Sequence, residues 1–374
     1  MNFTLSSTDL SSRLGDMAKV INSKNTLAIL NDFLFEINNG QLTITASDSE
    51  NTITSAMPLA SSDGDGRFCV DNSTMINSIK DLADQPLRID VDMQTLSIDI
   101  SYQNGHFSFV GHSADQYPTF NAIEDDAATI SLSADVMSNN INMTLFATAN
   151  DEIRPTMNGI YFDLTNDCLA VVATDGHKLV RCRDYSIKSE VPSSFILPKK
   201  PASLLKNILG KEDGEVIIKY NDRNAEITFD NGTLTCRLVE GRYPNYNSVI
   251  PTDNPNQLTA DRQAFLAATK RVLVGASQNN SLVRFHVENG LLKLQSEDTD
   301  NAKSAEESLT CDYTGSTMSI GFRGTTVVEI LSVLNSEQVI LEFADPSRPG
   351  LIIPAQQDEN KEVTMLMMPM LLNE

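Results

Sequence analysis

The sequence predicts an α+β protein in which one domain is written three times, each copy carrying two helices and about eight short strands. Three observations predict it. A strand-like segment recurs with constant internal offsets, a strand–break–helix segment recurs after it, and a capped helix recurs ahead of it. Ordered elements matching three times mark a repeat architecture.

The first element is "FEINNGQLTITASD" (35–48), "FDLTNDCLAVVATD" (162–175) and "FHVENGLLKLQSED" (285–298). Each begins with Phe and ends with Asp 13 positions later. An aliphatic lies two after the Phe (Ile37, Leu164, Val287), Leu lies seven after it (Leu42, Leu169, Leu292), and another aliphatic lies nine after it (Ile44, Val171, Leu294). This alternation is the period of a half-buried strand. The pairs Asn39-Gly40, Asn166-Asp167 and Asn289-Gly290 accept positive φ, so each segment reads as a β-hairpin.

The second element is "DGRFCVDNSTMINSIKDL" (65–82), "SSFILPKKPASLLKNIL" (193–209) and "TMSIGFRGTTVVEILSVL" (317–334), each a strand, a polar break and an apolar-periodic helix. The third is "SSTDLSSRLGDMAKVI", "SADVMSNNINMTLFATA" and "TADRQAFLAATKRVLVGA", which open on Ser or Thr with Asp before helical spacing. Domains are expected at 1–126, 127–253 and 254–374, with cuts near Asp125–Ala128 and Pro251–Pro255. The twin phrases "DQYPTFN" (115–121) and "GRYPNYN" (241–247) each end the last strand of a repeat. In the third repeat that place is the C-terminus, "EVTMLMMPMLLNE", which keeps Pro369.

With 41% hydrophobic residues the 374-residue chain can build real cores. No apolar run reaches the ~18 residues of a membrane span. "MNFTLSSTDL" lacks the basic and apolar regions of a signal peptide. The five Cys (69, 168, 182, 236, 311) form no Cys-x-x-Cys pair, which suits reduced cytoplasmic thiols. A net charge of −22 argues against a protein that grips phosphates with a basic surface.

No catalytic constellation emerges. In "ATDGHKL" (173–179), Asp175 and His177 could pair as orienting acid and base, but Asp-Gly is a turn former and Asp175 belongs to the repeat. No Gly-x-Ser-x-Gly or P-loop is present. His106, His112, His177 and His286 have no metal-ligand spacing. This favours a binding protein without metal or cofactor. Met365, Met367, Met368 and Met370 among Leu366, Leu371 and Leu372 read either as a buried final strand or as a soft pocket that re-packs around different partners.

At these residues the chain resembles the bacterial DNA polymerase III beta subunit, the replication sliding clamp. The resemblance rests on "MNFTL", "TLAILNDFLFEI" (26–37), "TDGHKL" (174–179), "GRYPNY" (241–246) and "MPML" (368–371), and covers the whole chain. It implies a cytoplasmic homodimer, joined head to tail into a ring of six units around duplex DNA, with twelve helices lining the hole. Such a ring is no enzyme. It tethers the polymerase III alpha subunit, clamp-loader subunits and other replication and repair proteins carrying clamp-binding peptides. The acidic charge then belongs outside and a mildly basic lining inside. The resemblance places Arg13, Lys24, Lys80, Lys199, Lys200, Lys206, Lys270 and Arg271 toward DNA, with Lys19, Arg262 and Arg323 on the same helices and flanks.

The family's partner-peptide pocket, between its second and third domains, carries over to Arg154, Met157, Thr174, Gly176, His177, Lys178, Leu179, Pro244, Val249, Leu366, Met368, Pro369 and Met370. Its dimer joint carries over to Phe107 against Val272 and Leu273. Three departures stand out. Lys178 replaces a frequent Arg, Pro155–Thr156 lacks the aromatic that many members set against DNA, and Asn373 and Glu374 extend past the usual ending. The alternative reading is an acidic β-rich binding protein with no role on DNA.

Overall fold

The recurring Phe anchors each repeat. Phe35 lies opposite Phe68, Phe162 opposite Phe195, and Phe285 opposite Ile320 on neighbouring antiparallel strands. Their exposures of 0%, 1% and 0% show that one core position was written three times. The first two pairs stack at 5.3 and 4.7 Å, while Phe285 meets Phe322 edge-on at 5.2 Å.

The recurring Asp closes a turn each time. Asp48 accepts the backbone N–H groups of Glu50 and Asn51, Asp175 those of His177 and Lys178, and Asp298 that of Asn301. A carboxylate that bonds backbone two or three residues ahead is a local turn device, so its spacing is inherited with the hairpin. The hairpin tips differ from expectation. Only Asn39 and Gly40 (φ 49° and 76°) and Gly290 (φ 75°) have positive φ. At Asn166-Asp167 the Thr165 hydroxyl instead accepts from the N–H groups of Asp167 and Cys168, which tightens the turn without left-handed residues.

The computed structural model describes residues 1–22, 24–119, 123 and 127–372. The Phe120 and Asn121 of the first Tyr-Pro phrase, Asp125 and Asp126 of the cut at Asp125–Ala128 with the first side of the 126/127 boundary, and Asn373 and Glu374 lie outside the described residues. Among the described residues there are six α-helices: α1 (Ser7–Met17), α2 (Asn72–Ile79), α3 (Ala134–Thr144), α4 (Lys199–Leu209), α5 (Arg262–Val272) and α6 (Gly324–Val333). The helices that open the repeats are capped as their sequences predict. Ser6 accepts from Asp9 N–H, Ser133 from Val136 N–H and Asp261 from Ala264 N–H.

The chain forms two compact units, Met1–Ser138 with Lys200–Leu238, and Asn139–Lys199 with the chain from Val239 onward. The middle repeat therefore contributes to both. In the first unit an eight-stranded sheet runs Ala128–Ser133, Glu215–Tyr220, Asn224–Phe229, Gly232–Arg237, Asn51–Pro58, Gln41–Ser47, Asp32–Asn38, Gly66–Asp71. It passes from second repeat to first where Gly232–Arg237 pairs antiparallel with Asn51–Pro58, Leu234 opposite Ile53. In the second unit the corresponding sheet runs Ser193–Pro198, Gly159–Leu164, Leu169–Thr174, Lys178–Asp184, Lys361–Met367, Gly350–Pro354, Gln338–Phe343, Asn256–Asp261. It passes from second repeat to third between Lys178–Asp184 and Lys361–Met367, Val180 opposite Met365.

Each unit also holds a smaller sheet. A five-stranded sheet in the first unit ends on Gly105–Val110, and a four-stranded sheet in the second ends on Lys303–Thr310. Both are terminal strands.

Candidate partner-binding site

The site lies wholly within the second unit and is built on the C-terminal strand. Lys361–Met367 is bonded on both sides, to Lys178–Asp184 and to Gly350–Pro354. Beyond it the backbone stays anchored at two points, because Met368 N–H donates to His177 O at 2.8 Å and Met370 N–H to Gly321 O at 2.8 Å. Pro369 sits between them, where a missing donor costs nothing.

Beneath this segment is a buried cluster that includes Ala170, Val172, Leu179, Tyr243, Tyr246 and Leu366. Tyr161 stacks on Tyr243 at 4.6 Å and meets Tyr246 edge-on at 6.2 Å. Tyr246 donates its hydroxyl to Asp163 at 2.8 Å. Burial pushes the phenols of Tyr243 and Tyr246 above their ordinary range, so both stay neutral. Above the cluster the side chains are open to solvent: Val249 is 52% exposed, Met368 40% and Leu371 89%, with Pro244 exposed beside them. Leu371 was not among the expected pocket residues; a Leu in a run of Met and Leu gave no sign of which way it faced.

The "TDGH" turn makes one wall. Thr174 is buried and donates to Lys178 O at 2.7 Å, while its hydroxyl accepts Gly176 N–H at 3.1 Å. Gly176 has φ +88°, and a Cβ there would sit 3.0 Å from the Arg154 guanidinium. Arg154 is held by Asp151 at 2.8 Å, and Met157, 8% exposed, closes the turn behind it. Lys178 reaches Glu329 at 2.7 Å and lies 5.3 Å over the Phe146 ring. Asp175 gives one carboxylate oxygen to the two backbone N–H groups that follow it, and His177 is exposed. Asp175 is thus a turn former, as its place in the repeat predicts.

A charge network braces this wall to the tail strand. Arg181 bonds Glu362 and, at 2.9 Å, Asn247, while Tyr185 donates to Glu362 at 2.8 Å. Burial alone would raise the Glu362 carboxyl, but the Tyr185 hydroxyl and the guanidiniums of Arg181 and Arg183 hold it below its ordinary value of 4.5.

The cations expected to face DNA divide into two groups. Lys24, Lys80, Lys199, Lys206, Lys270 and Arg323 are exposed and make no ion pair among the described residues. The others are engaged within the fold. Lys200 donates to Asp48, Asn22 and Val20 O at 2.6 Å each, so its ammonium staples the first unit. Arg271 forms a two-pronged pair with Glu307. Arg13 donates to Ser55 at 3.2 Å, and Lys19 pairs with Asp16 at 2.9 Å. Arg262 differs most from expectation: it donates to Ser336 O and Leu331 O and so closes the C-terminal end of α6.

The joint residues also separate. Phe107 is half-buried and stacks on Tyr102 at 5.3 Å. Val272 is 1% exposed and belongs to the core, because it lies on the inward face of α5. The apolar surface there comes from half-buried Leu273 and from Val274, 76% exposed.

Among the described residues no group of three or more His, Cys, Asp or Glu side chains could hold a metal, and no helix is long and apolar enough to cross a membrane. Models of the DNA polymerase III beta subunit match the chain in three parts, the N-terminal domain over residues 1–121, the central domain over 131–245 and the C-terminal domain over 247–371. The chain therefore belongs to the DNA polymerase III beta subunit family. It is 28% identical over 370 residues to the beta sliding clamp of Pseudomonas aeruginosa, covering 98% of this chain and 100% of that protein. It is 26% identical over 379 residues to the beta sliding clamp of Staphylococcus epidermidis, covering 99% of each. Among solved structures, the P. aeruginosa sliding clamp bound to griselimycin superposes with a TM-score of 0.92 at 27% identity, and that of Bartonella birtlesii bound to griselimycin with 0.90 at 27%, each over 100% of both chains.

The depressed Glu362 carboxyl makes a prediction with a definite sign. Its stabilisation is present above pH 4.5 and is lost as pH falls through the lower folded-state value. Glu362→Gln should cost about 1–2 kcal/mol in urea denaturation at pH 7, and the difference from wild type should shrink below pH 4.5. A difference constant from pH 7 to pH 3 would contradict this.

Proposed function

We propose that this chain is a processivity factor that acts as a ring around duplex DNA, closed by two copies head to tail, and holds replication proteins through the C-terminal pocket. The observation that carries this reading is the use of the repeat's outer strands. Within the first unit Asn51–Pro58 takes Gly232–Arg237 as neighbour, and within the second Lys178–Asp184 takes Lys361–Met367. The equivalent strands left over are Gly105–Val110 and Lys303–Thr310, one of each kind per chain. An edge strand with unpaired backbone groups is a template for another strand. One donor edge and one acceptor edge per chain give a heterologous contact, which closes as a ring when the rotation permits.

The charge fits this reading. A ring retained by its topology has no need of tight phosphate contacts, which would also impede sliding. A few cations unpaired among the described residues, Lys24, Lys80, Lys199, Lys206, Lys270 and Arg323, suffice against a net charge of −22. Lys200 and Arg271 are occupied by carboxylates and contribute less. The chain catalyses no reaction in this role, needs no cofactor and works in the cytoplasm.

At the pocket, exposed Val249, Met368 and Leu371 over a buried aromatic floor suit a short apolar peptide, and Met gives a wall that adapts to several sequences. The peptides would come from the polymerase III alpha subunit, clamp-loader subunits and other replication and repair proteins. Gly176 keeps the wall low where a side chain would strike Arg154.

Two outcomes are expected. Met368→Asp combined with Leu371→Asp leaves the backbone anchors intact and puts charge into the apolar surface. Affinity for the clamp-binding peptide of the alpha subunit should fall by roughly 100-fold in a fluorescence-polarisation titration, with the dimer unchanged; unaltered affinity would refute the pocket. Leu273→Asp should give folded monomers in sedimentation velocity at micromolar concentration, and a persistent dimer would refute the joint.

A further inference from the structure

The first unit contains a cavity of about 380 Å³ that takes no part in the partner site. One wall is α1, the other is the end of α4 with the residues just past it, and the floor is Asn51–Pro58 with the turn after Asn224–Phe229. We infer that this cavity is a binding site for a small ligand that joins an apolar, ring-bearing body to a single carboxylate, with Arg13 as the group that receives the carboxylate. The inference stands apart from the ring reading and from the C-terminal pocket.

The floor is apolar. Met17, Ile53, Met57, Ile208 and Phe229 line the cavity and are all buried. Two thioethers beside an aromatic ring suit a flat ring, because Met sulfur adapts its contact to ring edges. The volume falls at the lower end of the ~300–1,000 Å³ of small-ligand sites. Both of the first two repeats supply it. Lys211 already ties them to each other by its pair with Asp16 at 2.7 Å, as does Ser55 by donating to Asn231 O at 2.8 Å. A ligand seated here bridges the internal joint and stabilises it by linkage.

The charged groups decide what head the ligand carries. Asp16 is covered by Lys19 at 2.9 Å and Lys211 at 2.7 Å. Both oxygens of Glu212 accept from the Asn231 amide, at 3.0 and 2.9 Å. Asp9 is exposed in the first turn of α1, where the helix end itself favours a carboxylate. Arg13 differs from these. It is half-buried, one of its nitrogens donates to Ser55 Oγ at 3.2 Å, and no carboxylate pairs with it among the described residues. A cation partly withdrawn from water without a counter-ion gains most from an anion. The Ser55 bond ties the guanidinium to the floor strand and leaves the rest of its fork for a two-pronged carboxylate.

The shared fold does not require this cation. Seven residues after the caps Ser6, Ser133 and Asp261 stand Arg13, Asn140 and Ala268. Two residues before Met57, Asp184 and Leu309, which face the recurring Leu, stand Ser55, Cys182 and Glu307. Only the first repeat sets a cation against a hydroxyl. A DNA phosphate suits the cavity less well. It brings no apolar body for the buried floor, and Asp9, Asp16 and Glu212 oppose a polyanion.

The test uses the full chain labelled at its methionine methyl groups, titrated with 4-biphenylacetate at pH 7 and followed by NMR. Met17→Leu and Met57→Leu assign the two reporting signals. Both should shift saturably, half-complete below about 1 mM, while Met365, Met367, Met368 and Met370 stay in place. The uncharged 4-biphenylacetamide on wild type, and the acid on Arg13→Gln, should each bind about tenfold more weakly or worse. Ser12→Phe, at an exposed position on the α1 wall, fills the cavity with Arg13 intact and should abolish the shifts. The site is overturned by an absence of saturable shifts, by shifts confined to the C-terminal methionines, or by equal affinity for acid and amide. Unchanged affinity in Arg13→Gln or Ser12→Phe overturns it as well. A short DNA duplex that moves the Met17 and Met57 signals where the acid does not would assign Arg13 to phosphate and overturn the ligand class.

Discussion

Backbone hydrogen-bonding groups on the outer strands of each repeat have to meet a partner, and that demand organises the molecule. An unpaired ladder on a long strand is a standing invitation to association. Inside the chain the invitation is answered twice, by Gly232–Arg237 on Asn51–Pro58 and by Lys361–Met367 on Lys178–Asp184. The C-terminal strand is ordered because it fills such an edge. The proposed pocket follows from this, since the residues after Met367 are led over the cluster around Tyr243 and Leu179 by the same ladder.

Much of this was legible in the sequence because a repeat states its core three times. Phe35, Phe162 and Phe285 are all buried, and the Asp 13 positions on closes a turn in each repeat. Helix starts were legible through their caps. Less legible was anything decided by a partner distant in sequence. Lys200 and Arg262 look like solvated helix cations, yet one is claimed by Asp48 from 152 positions away and the other by carbonyls at and just past the C-terminal end of α6. Val272 and Val274 are equally apolar, and only the phase of the helix end sends the first into the core and the second to solvent. The tip at Asn166-Asp167 looked like a left-handed turn, and a single hydroxyl, Thr165, made that unnecessary.

The two Tyr-Pro phrases show how a duplicated element diverges in use. Tyr117 is buried among Leu30, Leu34, Cys69 and Ala114, a closed packing role. Tyr243 stacks with Tyr161 beneath exposed Val249 and Met368, so the same phrase becomes a floor. The second copy writes Tyr246 where the first has Phe120, and the added hydroxyl is satisfied by Asp163, so the ring is buried without an orphaned donor.

The central claim is that retention on DNA comes from closure and not from phosphate contacts. Loaded onto nicked circular DNA by a clamp loader with ATP, the protein should stay bound through a sizing column in moderate salt. Linearising the circle with one cut should release most of it, and blocking the ends with a bulky bound protein should restore retention. Equal release from circular and cut DNA, with salt alone deciding how much remains, would contradict the account.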